Sequence, residues 1–287
     1  MREPTATRRE LLRRIESRIT GLYDAREARS IALTLLADRT GLTPSALLTD
    51  PDAPLTVEGL DDDIGELATG RPVQYVTGRT EFLDRPFAVR EGVLIPRPET
   101  EELVLWAEQC AADHRNPRIL DVCTGSGCIA IVLAAHLPQA KVTALDISHA
   151  ALETAQRNAS MNGVRIRFIE DDALNGMPSL AGETFDIIVS NPPYIPHSEI
   201  ESMHVNVTRY EPHEALFVDD ADPLVFYRAI ARAARTMLSE GGSLLFEVHE
   251  AWAERTAEML RREGFGQTEV RIGLFGKLRM TCSRRRR

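Results

Sequence analysis

The stretch Asp121-Val122-Cys123-Thr124-Gly125-Ser126-Gly127-Cys128-Ile129-Ala130 contains a glycine-rich turn that opens at Cys123. An apolar run over 118–122 precedes it and is typical of a buried strand, and a helical pattern over 127–137 follows. Glycines at such a junction let the backbone turn tightly and bring helix amide groups close to a ligand. The turn therefore predicts an α/β fold with a ligand site where the strand ends.

Strand and helix patterns alternate on both sides of this turn. Strands are predicted at 118–122, 141–147, 164–169, 185–189, 242–248, 268–272 and 278–282. Helices are predicted at 99–112, 127–137, 150–162, 224–238 and 252–263. This alternation predicts a largely parallel sheet covered on both faces, with the last two strands as an antiparallel pair. Ligands of such sheets bind beyond the carboxyl ends of the strands.

The residues upstream of the sheet are predicted to be helical from 5 to about 70, with no chemical motif. Asp24 and Glu27 match a capping box, and Thr43-Pro44 matches an N-cap followed by the first helical residue. A last helix is predicted over 56–67. These helices are predicted to form a small bundle, and recognition or packing is the role expected of it.

The helical pattern breaks at 71–78, and short strands are predicted at 82–83, 87–89 and 93–95 around turns at 84–86 and 91–92. These strands predict a β-hairpin linker. The expected organisation is a helical domain over 1–78, a linker over 79–96 and an α/β domain over 97–287.

Composition limits the class of protein. The 287 residues are 43% hydrophobic and 27% charged, with a net charge of -9, which argues against tight, sequence-independent binding to phosphate backbones. The 4 cysteines form no CxxC pair, so neither a zinc site nor a disulfide framework is predicted. Neither a signal peptide nor an apolar run long enough to cross a bilayer is recognised, so a cytoplasmic protein is expected.

A cofactor site is predicted from the turn and the strand that follows it. Gly125-x-Gly127-x-x-Ala130 fits a loose dinucleotide fingerprint, and Asp146 ends the next strand, where its carboxylate can accept both hydroxyls of a ribose. An N-cap role for Asp146 is the structural alternative. NAD and S-adenosylmethionine both use this layout, and Asp121 just before the turn suits the cationic sulfonium and amino group of the latter. After the third strand, Asp172 beside Ala173 is predicted either to accept the adenine amino group or to form a surface turn.

A stiff loop follows the fourth strand as Ser190-Asn191-Pro192-Pro193-Tyr194-Ile195-Pro196. Two prolines end the strand, because neither can donate to a sheet ladder. The side-chain oxygen of Asn191 and the carbonyl of Pro192 can each accept one N–H of an –NH2 group. Tyr194 can pack its ring over a planar group. The loop therefore predicts an acceptor site that orients a flat, nitrogen-bearing substrate beside a methyl donor.

The chain resembles the release factor glutamine methyltransferases, a family of class I S-adenosylmethionine-dependent methyltransferases called PrmC or HemK. The turn, the acceptor loop and five further strings carry the resemblance: Arg71-Pro72-Val73-Gln74-Tyr75-Val76-Thr77-Gly78 with Phe82, Leu94-Ile95-Pro96-Arg97-Pro98-Glu99-Thr100-Glu101, Asp146-Ile147-Ser148, Tyr210-Glu211-Pro212-His213-Glu214-Ala215-Leu216 and Leu274-Phe275-Gly276-Lys277. It implies a Rossmann-like domain with a mostly parallel seven-stranded sheet whose last strand is antiparallel, preceded by a helical substrate-recognition domain.

The resemblance also implies the reaction and its residues. It implies N5-methylation of the glutamine in the Gly-Gly-Gln motif of class I peptide chain release factors, with no direct nucleic-acid or membrane partner. The implied donor-binding residues are Cys123, Thr124, Gly125, Ser126, Gly127, Asp146, Asp172, Ala173 and Asn191. The implied substrate-binding residues are Asn191, Pro192, Pro193 and Tyr194, of which Asn191, Pro192 and Tyr194 are the catalytic candidates.

Two residues depart from the family pattern. Cys123 stands where the family often has glycine and is expected to change the turn little. Ala173 stands where some members have an aromatic residue, so the wall beside the adenine must come from elsewhere.

Three other functions are weighed against this one. An N6-adenine methyltransferase acting on DNA or RNA shares the Asn-Pro-Pro-Tyr loop, but a basic groove and a target-recognition domain are not evident. An NAD dehydrogenase would account for the turn and leave the loop unexplained. A binding protein that has lost turnover is disfavoured by the intact donor and acceptor motifs.

Overall fold

The computed structural model describes residues 6–285, and these residues divide into two compact units. The first unit contains the described residues up to Arg79 together with His204–Tyr210. The second contains Thr80–Met203 and the described residues from Glu211 onward. The division differs from the predicted organisation at two points: the hairpin belongs to the second unit from Thr80, and a short segment from the predicted α/β domain belongs to the first.

Helices form most of the first unit. They are α1 (Arg8–Ile19), α2 (Ala25–Thr40), α3 (Pro44–Thr49), α4 (Leu60–Ala68) and α5 (Val73–Thr77). Before α1, strand β1 (Ala6–Thr7) pairs antiparallel with β2 (Pro54–Leu55). Buried leucines and isoleucines of α1, α2 and α4 form a core of their own, which agrees with the helices predicted for this region.

The helix ends follow the capping chemistry with one correction. Thr43 caps α3 as predicted, its hydroxyl accepting from the Ala46 amide. The carboxylate of Asp24 accepts two backbone N–H groups at the start of α2, but the reciprocal capping box lies at Thr7 and Glu10 instead. The sequence predicted that the helical pattern breaks over 71–78. This prediction is wrong, because helix α5 forms between Pro72 and Gly78.

A hairpin opens the second unit, with strands β3 (Arg79–Phe82) and β4 (Arg85–Ala88). Its turn lies at Leu83 and Asp84, both with positive φ, and not at 84–86 as the sequence indicated. The strand predicted over 93–95 does not form. Val93 and Ile95 are buried from an irregular segment, so their apolar character reflects packing and not sheet pairing.

The described residues of the second unit contain a seven-stranded sheet. Its strands are β5 (Arg118–Val122), β6 (Lys141–Asp146), β7 (Arg167–Glu170), β8 (Phe185–Ser190), β11 (Leu238–Glu247), β12 (Thr268–Ile272) and β13 (Leu278–Arg284). The strand order is β12-β13-β11-β8-β5-β6-β7. All neighbours are parallel except at β13, which is antiparallel to both β11 and β12. The predicted fold class is confirmed.

Helices cover both faces of this sheet. Successive residues of a strand point to opposite faces, so neighbouring residues pack against different helices. Ile119 packs with α6 (Pro98–Ala111), α7 (Cys128–His136) and α8 (His149–Met161), and the next residue, Leu120, packs with α11 (Val225–Met237) and α12 (Ala253–Arg262). No helix of residues 6–285 is both long and apolar enough to span a bilayer.

The end of the acceptor loop and the segment that follows it hold elements that the sequence did not indicate. They are β9 (Ile195–Pro196), α9 (Val205–Tyr210), α10 (His213–Leu216) and β10 (Phe217–Val218). Strands β9 and β10 pair with each other in parallel. These pieces are too short for hydrophobic periodicity to reveal.

Candidate active site

The glycine turn leaves β5 in a left-handed backbone conformation. Cys123, Gly125 and Gly127 have φ of 60, 54 and 82 degrees. A Cβ at Gly127 would lie 3.0 Å from the Ala155 Cβ and Ile131 Cδ1, so helix packing requires glycine there, whereas a Cβ at Gly125 would meet open space. Cys123 keeps the conformation that glycine would adopt, at a cost of about 1–2 kcal/mol for a residue with a side chain.

Helix α8 holds this turn through Asn158, a residue the sequence did not single out. Its Nδ2 donates to the Ser126 carbonyl (2.9 Å) and to the Ala88 carbonyl (3.0 Å), and its Oδ1 accepts from the Ala88 amide (2.7 Å). Asn158 is fully buried. It therefore joins the turn to strand β4 of the hairpin.

Asp121 lies beneath the turn and is fully buried. Its Oδ2 accepts from the Thr124 hydroxyl (2.5 Å) and the Ala130 amide (3.2 Å), while Oδ1 has no hydrogen-bond partner within residues 6–285. Burial raises the pKa of this carboxyl to about 7, with a further contribution from Asp146. A buried acceptor with an unused oxygen fits a cationic group above the turn, as S-adenosylmethionine would supply.

The thiol of Cys123 lies at the start of the same turn. Burial, and then the carboxylates of Asp146 and Asp121, raise its pKa well above the ordinary value. Because the thiolate is the nucleophilic form of cysteine, this environment keeps Cys123 neutral and unreactive.

Asp146 ends β6 and faces the turn. Its Oδ2 accepts from the Gly125 amide (2.8 Å) and its Oδ1 from the Ser148 amide (2.9 Å). The N-cap of α8 is Ser148, so the N-cap alternative for Asp146 does not describe this helix. Burial raises the Asp146 pKa, and each oxygen retains a lone pair for a further donor such as a ribose hydroxyl.

Asp172 and Ala173 follow β7. The Asp172 Oδ1 accepts from the Leu174 amide (2.8 Å), which closes a turn, and Ala173 is buried. The carboxylate therefore forms the turn that one sequence alternative described, and its other oxygen remains available for an adenine amino group.

A cavity of ≈ 300 Å³ lies at the carboxyl ends of β5, β6, β7 and β8. It brings together six of the predicted site residues: Cys123, Asp146, Asp172, Ala173, Asn191 and Pro193. Six other predicted residues are not among those that line it: Thr124, Gly125, Ser126, Gly127, Pro192 and Tyr194. Apolar walls come from Leu145, Ile147, Leu174 and Phe226, which could replace the aromatic residue missing at Ala173.

The acceptor loop is fixed at its base and at its centre. The Ser190 hydroxyl donates to the Val122 carbonyl (2.6 Å), and the Tyr194 amide donates to the Leu216 carbonyl (3.2 Å). Asn191 Nδ2 donates to the Thr100 hydroxyl (3.2 Å). The Tyr194 hydroxyl donates to Glu247 Oε1 (3.1 Å), and burial raises its pKa further above the ordinary value, so the phenol stays protonated.

The segment that precedes α6 is held by Glu211. Its Oε2 accepts from the Ile95 amide (3.2 Å), and its Oε1 accepts from the Arg97 guanidinium (2.5 Å). Leu94, one residue before Ile95, lines the cavity. The resemblance pointed to the strings that contain these residues, but periodicity gave no sign that they meet.

The reversed last strand, the sheet order and an acidic cavity beside an Asn-Pro-Pro-Tyr loop define a class I S-adenosylmethionine-dependent methyltransferase. A solved structure with this fold is the T. thermophilus 16S rRNA N2 G1207 methyltransferase in complex with AdoMet and guanosine, at TM-score 0.51 and 19% identity, covering 72% of this chain and 50% of that one. The match to the Methyltransferase small domain over residues 105–209 agrees with this class, and S-adenosylmethionine is the methyl donor.

The family follows from sequence relatives. Residues 10–78 match the PrmC N-terminal domain. The release factor glutamine methyltransferase of Flavobacterium psychrophilum is 42% identical over 268 residues, covering 91% of this chain and 93% of the relative. That of Chlorobaculum tepidum is 44% identical over 257 residues, covering 86% of each. The chain belongs to the release factor glutamine methyltransferases, a family of S-adenosylmethionine-dependent protein-(glutamine-N5) methyltransferases, and the resemblance stated above is confirmed.

Proposed function

We propose that this enzyme methylates the side-chain amide N5 of the glutamine in the Gly-Gly-Gln motif of class I peptide chain release factors. The observation that carries the proposal is the position of Asn191, which lines the same cavity as the donor-site carboxylate Asp146. Family membership supports the choice of substrate. The proposal implies that the enzyme works in the cytoplasm and that the helical unit helps to hold the release factor.

The donor half of the reaction depends on Asp121, Asp146 and the turn. Asp146 would accept the ribose hydroxyls, and the free Oδ1 of Asp121 would offset positive charge above the turn. When bound, S-adenosylmethionine supplies a methyl group activated by its sulfonium. The acidic surroundings hold this cation better than they would hold a pyrophosphate, which favours this donor over NAD.

The acceptor half depends on orientation. An amide nitrogen is a poor nucleophile because its lone pair is delocalised. The Asn191 Oδ1 and the Pro192 carbonyl would each accept a hydrogen bond from one N–H of the substrate amide and aim its nitrogen at the methyl group. In gaining the methyl group from the sulfonium, the amide nitrogen would lose one proton, which passes to water. Tyr194 would flank the amide plane. The loop supplies positioning and electrostatic complementarity rather than a strong general base.

The proposal is tested by incubating the enzyme and donor with a purified class I release factor and mapping any added methyl group by peptide mass spectrometry. One methyl on the glutamine of Gly-Gly-Gln is expected, and none on a release factor with alanine at that glutamine. An oligonucleotide serves as the second substrate. Methylated adenine without a modified release factor would reject the proposal in favour of an N6-adenine methyltransferase.

The role of Asn191 is tested with Asn191→Ala. Loss of an oriented acceptor is expected to lower kcat by about 100-fold or more while leaving donor affinity nearly unchanged. Asn175→Ala, at an exposed asparagine after β7, serves as the matched control and should behave as wild type. An Asn191→Ala enzyme with wild-type kcat would contradict the assigned role.

A further inference from the structure

A buried carboxylate lies next to the acceptor loop, and neither binding of the methyl donor nor binding of the substrate amide, as described above, involves it. Glu247 is the last residue of β11 and is 1% exposed. Its Oε2 accepts from the Thr100 hydroxyl (2.6 Å), and its Oε1 accepts from the Tyr194 hydroxyl (3.1 Å). Its main-chain carbonyl accepts from the Tyr227 hydroxyl (3.1 Å). Burying a charged group costs free energy, so a buried carboxylate held by two hydroxyl donors needs a physical explanation.

The direction of these hydrogen bonds is set by the number of available protons. A hydroxyl group has one proton to donate. Because Thr100 donates its proton to Glu247, its oxygen can only accept from Asn191, and the Asn191 group that faces it is the Nδ2 amide nitrogen. The two ends of an asparagine amide are told apart by such partners. The Asn191 Oδ1 is thereby turned away from Thr100 and accepts no hydrogen bond from the described residues.

The same carboxylate also holds the aromatic residue of the loop. The Tyr194 hydroxyl is joined to Oε1, and the ring centroid of Tyr194 lies 6.1 Å from that of His249. One group on the neighbouring strand thus fixes both the amide acceptor and the ring. The register supports this, since Phe246 of β11 pairs with Ser190 of β8, one residue before Asn191.

We propose that Glu247 and Thr100 are positioning residues for methyl transfer: the Glu247 carboxylate, acting through the Thr100 hydroxyl, orients the Asn191 amide so that its oxygen faces the substrate. This inference rests on the proposed function. Neither residue touches the reacting atoms; both act through Asn191. Reversal of the Asn191 amide would present N–H groups to the substrate –NH2, which also carries only donors, and the substrate amide would lose its acceptor.

Thr100→Val tests the link between the two groups, because it keeps the branched shape and removes the hydroxyl. We expect kcat on the release factor to fall about 10- to 100-fold with little change in the Kd for S-adenosylmethionine, as a misoriented reacting group lowers the rate steeply. Thr100→Ser restores the hydroxyl and should recover most of the wild-type kcat. Thr256→Val is the matched control, since Thr256 is a fully buried helix threonine whose hydroxyl donates to the Trp252 carbonyl.

Glu247→Gln tests the carboxylate itself. The amide would offer one acceptor and one donor where the carboxylate offers two acceptors, so either Thr100 or Tyr194 must reverse its hydrogen bond. We expect kcat to fall while the thermal midpoint shows a folded protein. Should this variant not fold, the Thr100 pair alone decides the inference.

A double-mutant cycle separates positioning from a general structural effect. In an Asn191→Ala background, Thr100→Val should lower kcat no further, because the group it orients is gone. Equal kcat values for wild type and Thr100→Val, or additive losses in the cycle, would overturn the inference alone. A wild-type enzyme inactive on the release factor would overturn the proposed function and this inference together.

Discussion

At the scale of single residues, the proposed donor site contains two carboxyl groups, Asp121 and Asp146, whose pKa values are raised by burial. Asp121 is fully buried and uses one of its two oxygens, whereas Asp146 uses both oxygens on backbone amides. The Asp121 carboxylate is suited to stabilise a positive charge, and the Asp146 carboxylate is suited to accept hydrogen bonds from hydroxyl groups. The sequence indicated both residues, but not the difference in their hydrogen bonds.

The raised pKa of Asp121 has a consequence for stability. Its folded pKa, about 7, lies above the ordinary 3.8, so the native state binds a proton more tightly than the unfolded state does. The free energy of unfolding therefore carries an unfavourable contribution that is absent below about pH 4, grows as pH rises and is complete above about pH 7, at most about 4 kcal/mol.

Asp121→Asn should remove this contribution. We expect the variant without donor to gain stability relative to wild type as pH rises from 5 to 8, measured by urea unfolding at both pH values, and to bind S-adenosylmethionine more weakly. Wild-type and variant stabilities that differ by the same amount at both pH values would contradict the raised pKa.

Asp146→Ala should chiefly weaken donor binding. Loss of hydrogen bonds to a charged acceptor corresponds to about 1.5–3 kcal/mol, or roughly a 10- to 100-fold higher Kd for S-adenosylmethionine by calorimetry. Asp52→Ala, which removes an exposed carboxylate from the first unit, is the control. An unchanged Kd in Asp146→Ala would refute the ribose assignment.

At the scale of elements, the glycine turn depends on a helix that the sequence predicted without indicating its contact with the turn. Helix α8 reaches both the turn and β4 through the single side chain of Asn158. The sequence predicted α8 because apolar residues recur on one face at each turn of the helix, but this pattern gives no sign that a buried amide on the same face contacts the glycine turn. Its partner Ala88 is 70 residues away, and only the packed sheet brings them together.

Asn158→Asp tests this dependence. It replaces a donor by an acceptor that faces two carbonyl oxygens and introduces a buried charge, so we expect a loss of about 2–4 kcal/mol in the free energy of unfolding. Asn175→Asp makes the same change at an exposed site and should cost far less. Equal losses in the two variants would show that Asn158 does not hold the turn.

At the scale of the whole molecule, the first unit is completed by residues far along the chain. His204 Nε2 donates to the Leu22 carbonyl (2.8 Å), and its ring stacks on Tyr23 with centroids 4.9 Å apart. The Tyr210 hydroxyl lies 2.6 Å from the Thr69 hydroxyl. The segment 204–210 thus serves the helical unit although the sequence assigned it to the α/β domain.

His204→Ala combined with Tyr210→Phe should loosen the first unit locally. Each lost hydrogen bond corresponds to about 1 kcal/mol, so amides near Tyr23 and Thr69 should exchange with deuterium about fivefold faster or more. Tyr227→Phe, which removes a hydrogen bond within the second unit, should leave that exchange unchanged. Unaltered exchange near Tyr23 and Thr69 in the double variant would contradict the role of this segment.

The sequence by itself determined the order along the chain of the seven sheet strands and of the five long helices of the second unit, and it placed Asp146 and the acceptor loop at strand ends. It did so because hydrophobic periodicity, glycine and proline act within a few residues, and parallel strands end at one edge. Tertiary structure decided which polar side chains meet: Thr100 with Glu247 across 147 positions, and Thr69 with Tyr210 across 141. A buried polar group must find a partner, but only the packed fold selects it, since no local pattern records a distant neighbour.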